Sequence, residues 1–527
     1  MRLFTLLSVV FLCTFSDTFA QYGYYNDISR FAHSFDGGSA RIQALGNAQT
    51  SLGGDISSIS GNPAGLGFFN KSVFSFGYES NKINSNSAWI SGKSSGNDYD
   101  KIRLTKSSNQ LNNIAIVFQT KKNNVNNDYY LCYDCPRISF GLSYTKMKDF
   151  GSSIRYSGFN NNNSIIDYFI SEAQDVPLTQ LSNSSPIQGI GILQEAYDHY
   201  LLNPVSNLNS TYYSFVGGYP LQDETIETSG NISQFSFSTG INIKDKFYLG
   251  GGLNIYSFKY ARDRYYSETE FEILAENQWE REGILDYLYL NDFIKINGAG
   301  VSTSVGIIFK PINQLNIGIS YNSKTNMILN EEGYSELETN YFDYYFEPED
   351  TILQKTISST AKNISKYKII TPSKFSIGSS FFYKKFGFIT ADIDLINYSS
   401  GKIQSYDFDA FYDNREITEI YKSLTINYRL GIEGRYNNFY IRLGYNFLND
   451  AHNNAYQQIN TIDNSRVKKS IGIGYSNKSF SIDITYISSG YIEKLRPYSY
   501  IGEEPIIQAD IDRDSILLSL GLNFNNR

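Results

Sequence analysis

The 527-residue chain is poor in the residues that mark several other protein classes. Its three cysteines exclude a disulfide-built scaffold. Its three histidines, His33, His199 and His452, stand far apart, with no His-x3-His or His-Glu-x-x-His pairing, so no helical metal site is written into it. No Gly-x-Ser-x-Gly elbow leads from a strand into a helix, which leaves serine-hydrolase chemistry without a seat. No catalytic set, metal site or cofactor site emerges from these residues, and the chain does not read as an enzyme. There is no basic excess either. Lys and Arg number 45 against 53 Asp and Glu, and the pI is near 5.2, so the electropositive footprint of a nucleic-acid binder is missing. After the first twenty residues no stretch reaches the roughly 18 apolar residues of a membrane helix. If such a chain spans a membrane, it must do so as a closed barrel of strands.

What is abundant fits that alternative. Tyr (44) and Phe (36) are high, proline (11) is low, and the mean hydropathy is −0.33, a combination suited to many strands, aromatic girdles and polar loops. Residues 1–20 read as a secretory signal peptide: Arg2 supplies the positive end, Leu3 to Phe15 the apolar stretch, and Thr18-Phe19-Ala20 the small-x-small cleavage site. Cys13 raises a lipoprotein alternative, but Leu12 is large where a lipobox wants a small residue. Cleavage at Gln21 removes one Arg and one Asp and leaves the net charge at −8.

From Lys71 onward the chain alternates with period two. Fourteen strands are predicted. Their apolar faces are carried by Phe74 to Tyr78, Ile114 to Phe118, Ile138 to Tyr144, Phe235 to Ile241, Phe247 to Ile255, Val301 to Phe309 and Leu315 to Tyr321. The second half follows with Phe375 to Tyr383, Ile389 to Leu395, Leu424 to Ile432, Phe439 to Phe447, Ile471 to Tyr475, Phe480 to Tyr486 and Ile516 to Phe524. The opposite face is Ser, Gly, Asn, Thr and occasional charge, such as Asp392 and Asp394. Short turns fall at 244–246, 310–313, 384–385, 436–438 and 477–478. Long loops fall at about 80–110, 150–230, 260–296, 326–370, 398–422, 448–468 and 491–513. Short turns on one side and long loops on the other, with an even strand count, are the pattern of an outer-membrane barrel. A β-sandwich shows similar faces, but not this loop parity.

The stretch Gly37 to Phe69 is dense in Gly, Ala and Ser and nearly uncharged. It cannot make its own apolar core, but its backbone can pack closely against something that encloses it. It carries Ser39-Ala40-Arg41, Leu45-Gly46-Asn47-Ala48, Gly54-Asp55 and Asn62-Pro63-Ala64-Gly65-Leu66. This string resembles the hatch of the FadL-type (OmpP1/TodX) outer-membrane transporters of hydrophobic compounds. The match covers about thirty residues; over the rest of the chain the likeness is one of architecture. The resemblance implies an all-β fold: a 14-stranded antiparallel transmembrane β-barrel, residues 71–527, with an N-terminal plug, residues 21–70, inside the lumen. It also implies that an N-terminal tail with Tyr22, Tyr24 and Tyr25 approaches the ligand pocket, although a disordered end is the plainer reading of that stretch, and that a gap in the wall lies in the third strand near Gly141, facing Asn62-Pro63-Ala64. A small lumen-facing residue making room for the plug is an equal reading of Gly141. Some proteins of this type are named haem receptors, and three scattered histidines offer little for haem.

Two further features stay open. Cys132 and Cys135, in a connection (122–135) that is long where a short turn is expected, can form a local disulfide, a redox pair or half of a zinc site; an oxidising compartment favours the disulfide. Ser164 to Ala173 and Ile187 to Leu202 have helix-like spacing and read either as a cap that collects an apolar ligand or as helices closing the barrel mouth. The expected partners are the lipid bilayer of the outer membrane and a hydrophobic small molecule, such as a long-chain fatty acid, taken up passively and released sideways. The alternative is a non-transporting plugged barrel that docks another outer-membrane protein in a secretion or assembly complex.

Overall fold

The computed structural model describes residues 24–32, 37–90, 101–120, 136–187, 189–205, 210–275, 278–456, 463–500 and 505–524. The expected signal peptide, Tyr22, His33, Cys132 and Cys135 lie outside the described residues. Fourteen antiparallel strands close a barrel: β1 Ser72–Trp89, β2 Ile102–Gln119, β3 Arg137–Asp149, β4 Tyr219–Ile243, β5 Phe247–Ala275, β6 Leu285–Ile312, β7 Leu315–Asn322, β8 Lys374–Tyr383, β9 Gly387–Ile396, β10 Thr425–Tyr436, β11 Phe439–Leu448, β12 Arg466–Ser476, β13 Phe480–Leu495 and β14 Ile507–Phe524. Each pairs with the next, and β14 pairs with β1 from Ser72↔Phe524 to Trp89↔Ile507, so the sheet closes on itself.

The period-two pattern is what sorts the two faces. Phe235 and Phe237 are 50% and 51% exposed, whereas their neighbours Ser236 and Ser238 are 4% and 0%. A water-soluble protein would bury the aromatics and expose the serines. Here the apolar face looks outward all round, which is the arrangement lipid requires.

The strands run further than their apolar bands. A bilayer needs about 9–11 residues per tilted strand, whereas β4, β5 and β6 have 25, 29 and 28. The expected loop at 260–296 is therefore mostly strand. Outside the band the alternation persists with polar and aromatic residues facing outward, such as Lys259, Tyr265, Lys295 and Phe293, and a reading keyed to apolar faces stops too early. Asn326–Tyr341, Asn363–Ile370 and Lys402–Ser405 extend the same sheet beside β6.

Over this extension sits a helical cap. Ile165–Ala173 begins at Ser164, whose hydroxyl accepts from Ile166 N while Asp167 accepts from Ser164 N, a reciprocal capping box. With Gly191–Asp198 it packs Phe169, Leu193 and Ala196 against Tyr266, Leu288, Leu337 and Tyr341 of the sheet. The expected second helix, 187–202, is thus shorter. A further helix, Phe411–Ile420, lies in the expected loop 398–422.

Candidate functional site

Residues 37–69 lie within the barrel, and short local caps set their path. Asp55 caps Ile56–Ile59 by accepting from Ser57 N (2.9 Å). Asn62 caps Pro63–Phe68 by accepting from Ala64 N (3.1 Å), with proline at the first helical position, where its missing N–H costs nothing. Gly65 O accepts from Gly54 N (3.1 Å), which folds the segment back on itself.

The wall holds this segment from several sides. Ala40 N donates to Ser519 Oγ (2.9 Å), and Thr485 Oγ1 donates to Ala40 O (2.7 Å). Across the lumen, Ser238 Oγ donates to Ile59 O (2.6 Å) and Thr50 N to Asp392 Oδ2 (2.8 Å). Glu433 takes Nε–H donors from Arg435 (2.7 Å), Arg442 (2.7 Å) and, from the segment itself, Arg41 (3.3 Å). Arg442 also binds Asp483 (2.6 Å), and Arg41 reaches Asp55 (3.7 Å). Three guanidinium groups thus face three carboxylates.

Close approach replaces side-chain packing elsewhere. A Cβ on Gly250 would stand 2.2 Å from Pro63 C, one on Gly306 1.7 Å from Asn62 Oδ1, and one on Gly444 2.1 Å from Gly46 N. Only glycine lets the wall and the segment meet this closely at these points. Gly240, Gly318, Gly378, Gly431 and Gly472 meet the same segment.

Above the segment is a chamber of about 2530 Å³. The helix Asn26–Ala32 lies against it, with Ile28 and Phe31 buried; Phe31 meets Phe150, Phe258 and Tyr260 edge-on. Tyr24 and Tyr25 line the chamber, and burial pushes both phenols up to about 12, so they stay neutral. Burial also raises the Asp27 carboxyl, with Arg30 pulling the other way; Tyr367 donates to the same carboxylate (2.5 Å). The rest of the lining is mixed, with many Lys, Arg, Asp and Glu between aromatic rings.

The chamber meets the wall where β2 and β3 part. Their ladder runs only from Gln119↔Ser139 to Asn113↔Thr145. Above that, β2 stays paired with β1 and has no described ladder to β3. β3 shifts register against β4 between Lys146 and Lys148, then continues as Ser152–Phe159, still paired with β4. Side chains close the seam instead. Asp149 accepts from Gly151 N (2.8 Å), Ser108 Oγ (3.3 Å), Asn81 Nδ2 (3.4 Å) and Gln110 Nε2. Lys106 Nζ donates to Thr228 O (3.1 Å), and Arg513 donates to Asp149 O (3.2 Å) and Gly151 O (3.3 Å). Directly below, on the lipid face, is an apolar groove of about 490 Å³ between Phe74, Ile114, Leu142, Tyr144 and Phe237.

Gly141 lies below this seam, laddered on both sides to Val117 and Ser238. A Cβ there would meet Ile59 (2.6 Å) and Leu66 (3.4 Å). Asn62-Pro63-Ala64 faces Gly250 and Gly306 on β5 and β6, not β3. The sequence reading missed the seam residues Lys106, Asp149 and Arg513 and the Arg41–Glu433 network. His199 and His452 are far from one another in role: the first is held by Thr339 and Ser358, the second by Asp450. Among the described residues no group of His, Cys, Asp and Glu is disposed to hold a metal ion.

No protein-family model matches the chain, and no curated protein matches it. Solved structures do. A FadL homologue of Pseudomonas aeruginosa aligns over 94% of this chain and 100% of its own, at 14% identity and a TM-score of 0.53. The Pseudomonas putida toluene transporter TodX aligns over 94% and 100%, at 11% identity and a TM-score of 0.49. The Ralstonia pickettii toluene transporter TbuX aligns over 93% and 99%, at 13% identity and a TM-score of 0.45. The chain shares the closed fourteen-stranded barrel fold of FadL/TodX-type outer-membrane transporters.

Proposed function

We propose that this barrel is an outer-membrane channel for passive uptake of hydrophobic small molecules, fatty-acid-like in kind, with lateral release through the wall. The observation that carries this reading is the unladdered seam between upper β2 and β3, which has the chamber on its inner side and an apolar groove beneath its outer side. A compound that enters from outside and reaches the chamber meets residues 37–69 below it. That segment, which we take to act as a plug, is seated by ion pairs and glycine contacts on many strands, so axial passage would require breaking all of them together. Parting the seam requires only a few side-chain hydrogen bonds, at roughly 0.5–1.5 kcal/mol each. The likeness in fold to a FadL homologue supports an outer-membrane barrel of the transporter type.

A second reading, a subunit of a larger assembly, is favoured by one feature. Across three strands on the outer face of the extended sheet, Tyr265 meets Phe293 edge-on (ring centroids 5.9 Å apart) and Phe293 stacks on Tyr334 (4.8 Å). Exposed aromatic patches of this sort suit a partner surface. Native mass spectrometry of the protein taken from its own outer membrane in mild detergent separates the two. A monomer with a labile apolar adduct supports the channel. A stoichiometric complex with another barrel and no small adduct supports the subunit.

A further inference from the structure

The short-turn end of the barrel carries a run of like charge. Three successive turns, 244–246 between β4 and β5, 313–314 between β6 and β7, and 384–386 between β8 and β9, lie side by side along one arc of the rim. Backbone bonds stitch them together: Lys310 N donates to Lys246 O (2.8 Å) and Phe382 N to Gln314 O (2.7 Å). Short turns are the periplasmic ends of an outer-membrane barrel.

Along this arc each lysine adjoins an exposed aromatic. Lys246 precedes Phe247, Lys310 follows Phe309, Lys384 follows Tyr383 and Lys385 precedes Phe386. Phe247 and Phe309 stack with ring centroids 4.8 Å apart, as do Tyr383 and Phe386 at 6.1 Å. The Lys384 and Lys385 ammonium groups stand 5.8 Å and 6.0 Å from the Tyr383 and Phe386 rings. The backbone at Lys384 is left-handed (φ 48°), a conformation that favours Gly, Asn or Asp. Lysine is a poor choice there for the turn alone.

Among the described residues of the arc there is one carboxylate, Asp245, and Arg137 holds it. Lys244 shares the turn with that pair. The ammonium groups of Lys246, Lys310, Lys384 and Lys385 have no carboxylate partner among the described residues. The excess is local, since the whole chain is at −8. Depth decides what answers it. Exposed aromatic rings on a barrel mark the boundary between membrane and water. A lysine beside such a ring, at a turn of two or three residues, keeps its ammonium at the level of the lipid phosphates and does not stand out into the periplasm.

We propose that this arc binds the phosphodiester heads of anionic phospholipids, of the phosphatidylglycerol type, in the inner leaflet of the outer membrane. Each lysine near such a surface adds to the attraction. A zwitterionic lipid offers the same phosphate but brings its own ammonium, which the lysines repel. The arc thus selects the lipids around β4 to β9, and it does so whether the barrel works as a channel or as a subunit.

The test is native mass spectrometry of the full-length purified barrel in a neutral detergent, at low salt, with equal amounts of phosphatidylglycerol and phosphatidylcholine of the same chain length. Phosphatidylglycerol adducts are expected to outnumber phosphatidylcholine adducts at least fivefold, and the ratio is expected to fall with salt. Lys246→Gln with Lys310→Gln, Lys384→Gln and Lys385→Gln should bring the ratio below twofold. The same four positions changed to Arg, which keeps the charge, should stay within twofold of the unaltered protein. Four lysines changed to Gln at the other end of the barrel, Lys259, Lys295, Lys366 and Lys368, should leave the ratio unchanged. Retention of the heat-modifiable gel band checks that each variant is folded. Equal retention of the two lipids by the unaltered protein overturns the lipid site and leaves the arc to an acidic protein. An equal loss in both Gln variants makes the preference one of overall charge and overturns the arc. Displacement of phosphatidylglycerol by an equal concentration of glycerophosphoglycerol, the same head without chains, makes the site one for a soluble phosphodiester and overturns the lipid.

Discussion

Gly250 and Gly251 are neighbours on β5 with opposite fates, and they offer a direct test of how the inner segment is seated. Gly250 points into the lumen, where a Cβ would lie 2.2 Å from Pro63 C, 2.3 Å from Ala64 N and 2.5 Å from Pro63 O. These are backbone atoms and cannot swing aside. The turn cannot retreat either, because Asn62 already fills the recess of Gly306 on the next strand. Gly250→Ala must therefore dislodge the turn and strain the two shorter hydrogen bonds of the Asn62 amide, to Thr50 O (2.6 Å) and from Ala64 N (3.1 Å). Overpacking costs about 1–3 kcal/mol and each hydrogen bond about 1 kcal/mol, for a loss of about 3–5 kcal/mol. The nearest atom to a Cβ on Gly251 is 3.9 Å away, so Gly251→Ala should be neutral or gain about 0.5 kcal/mol from the lower entropy of the unfolded chain. Urea unfolding followed by the heat-modifiable gel shift gives the stability difference, and hydrogen exchange over residues 50–66 gives its location. Equal midpoints for the two variants, with exchange unchanged, would refute the seating described here.

Other outcomes follow from the same geometry. Glu433→Gln leaves Arg41, Arg435 and Arg442 facing two carboxylates, and loss of one member of such a buried set costs about 3–5 kcal/mol; it should raise exchange at residues 39–48 while the barrel band persists on gels. Burial holds the His199 imidazole down at about 4, below its unfolded value near 6.5. The folded cap thus favours the neutral ring: its stability is complete above about pH 6.5 and falls by up to about 3 kcal/mol as pH drops to about 4. Proteolysis of residues 160–216 should therefore quicken between pH 7 and pH 4.5, and His199→Gln should flatten that dependence. Asp149→Ala removes the acceptor of four seam donors; uptake of a fluorescent fatty acid by proteoliposomes should rise severalfold, and an unchanged rate would place the exit elsewhere.

The fourteen strands and their order were legible because a lipid-facing wall demands unbroken alternation, and Phe235, Ser236, Phe237 and Ser238 state it in four residues. The inner segment stood out for the converse reason, since Gly37 to Phe69 has too few large side chains to fold without an enclosure. What could not be read is anything set by three-dimensional neighbours. Gly141 and Gly250 look alike in sequence, yet one meets Ile59 and Leu66 side chains and the other a proline carbonyl. The seam begins at Thr145, where nothing local in Ser143-Tyr144-Thr145-Lys146 signals a lost partner. Lys148 precedes Arg466 and Arg513 by hundreds of residues, and the three line one chamber only when the barrel closes.

The recesses that receive residues 37–69 come from both ends of the chain. Gly240, Gly250 and Gly306 lie on early strands, Gly431, Gly444 and Gly472 on late ones, and Ser519 on the last. The segment itself precedes β1, the strand to which β14 must finally pair. It is therefore already at hand when the ends meet, and no complete socket exists before they do. The socket is thus a property of the closed barrel alone, and a change in the segment or at the β1–β14 seam acts on one and the same structure.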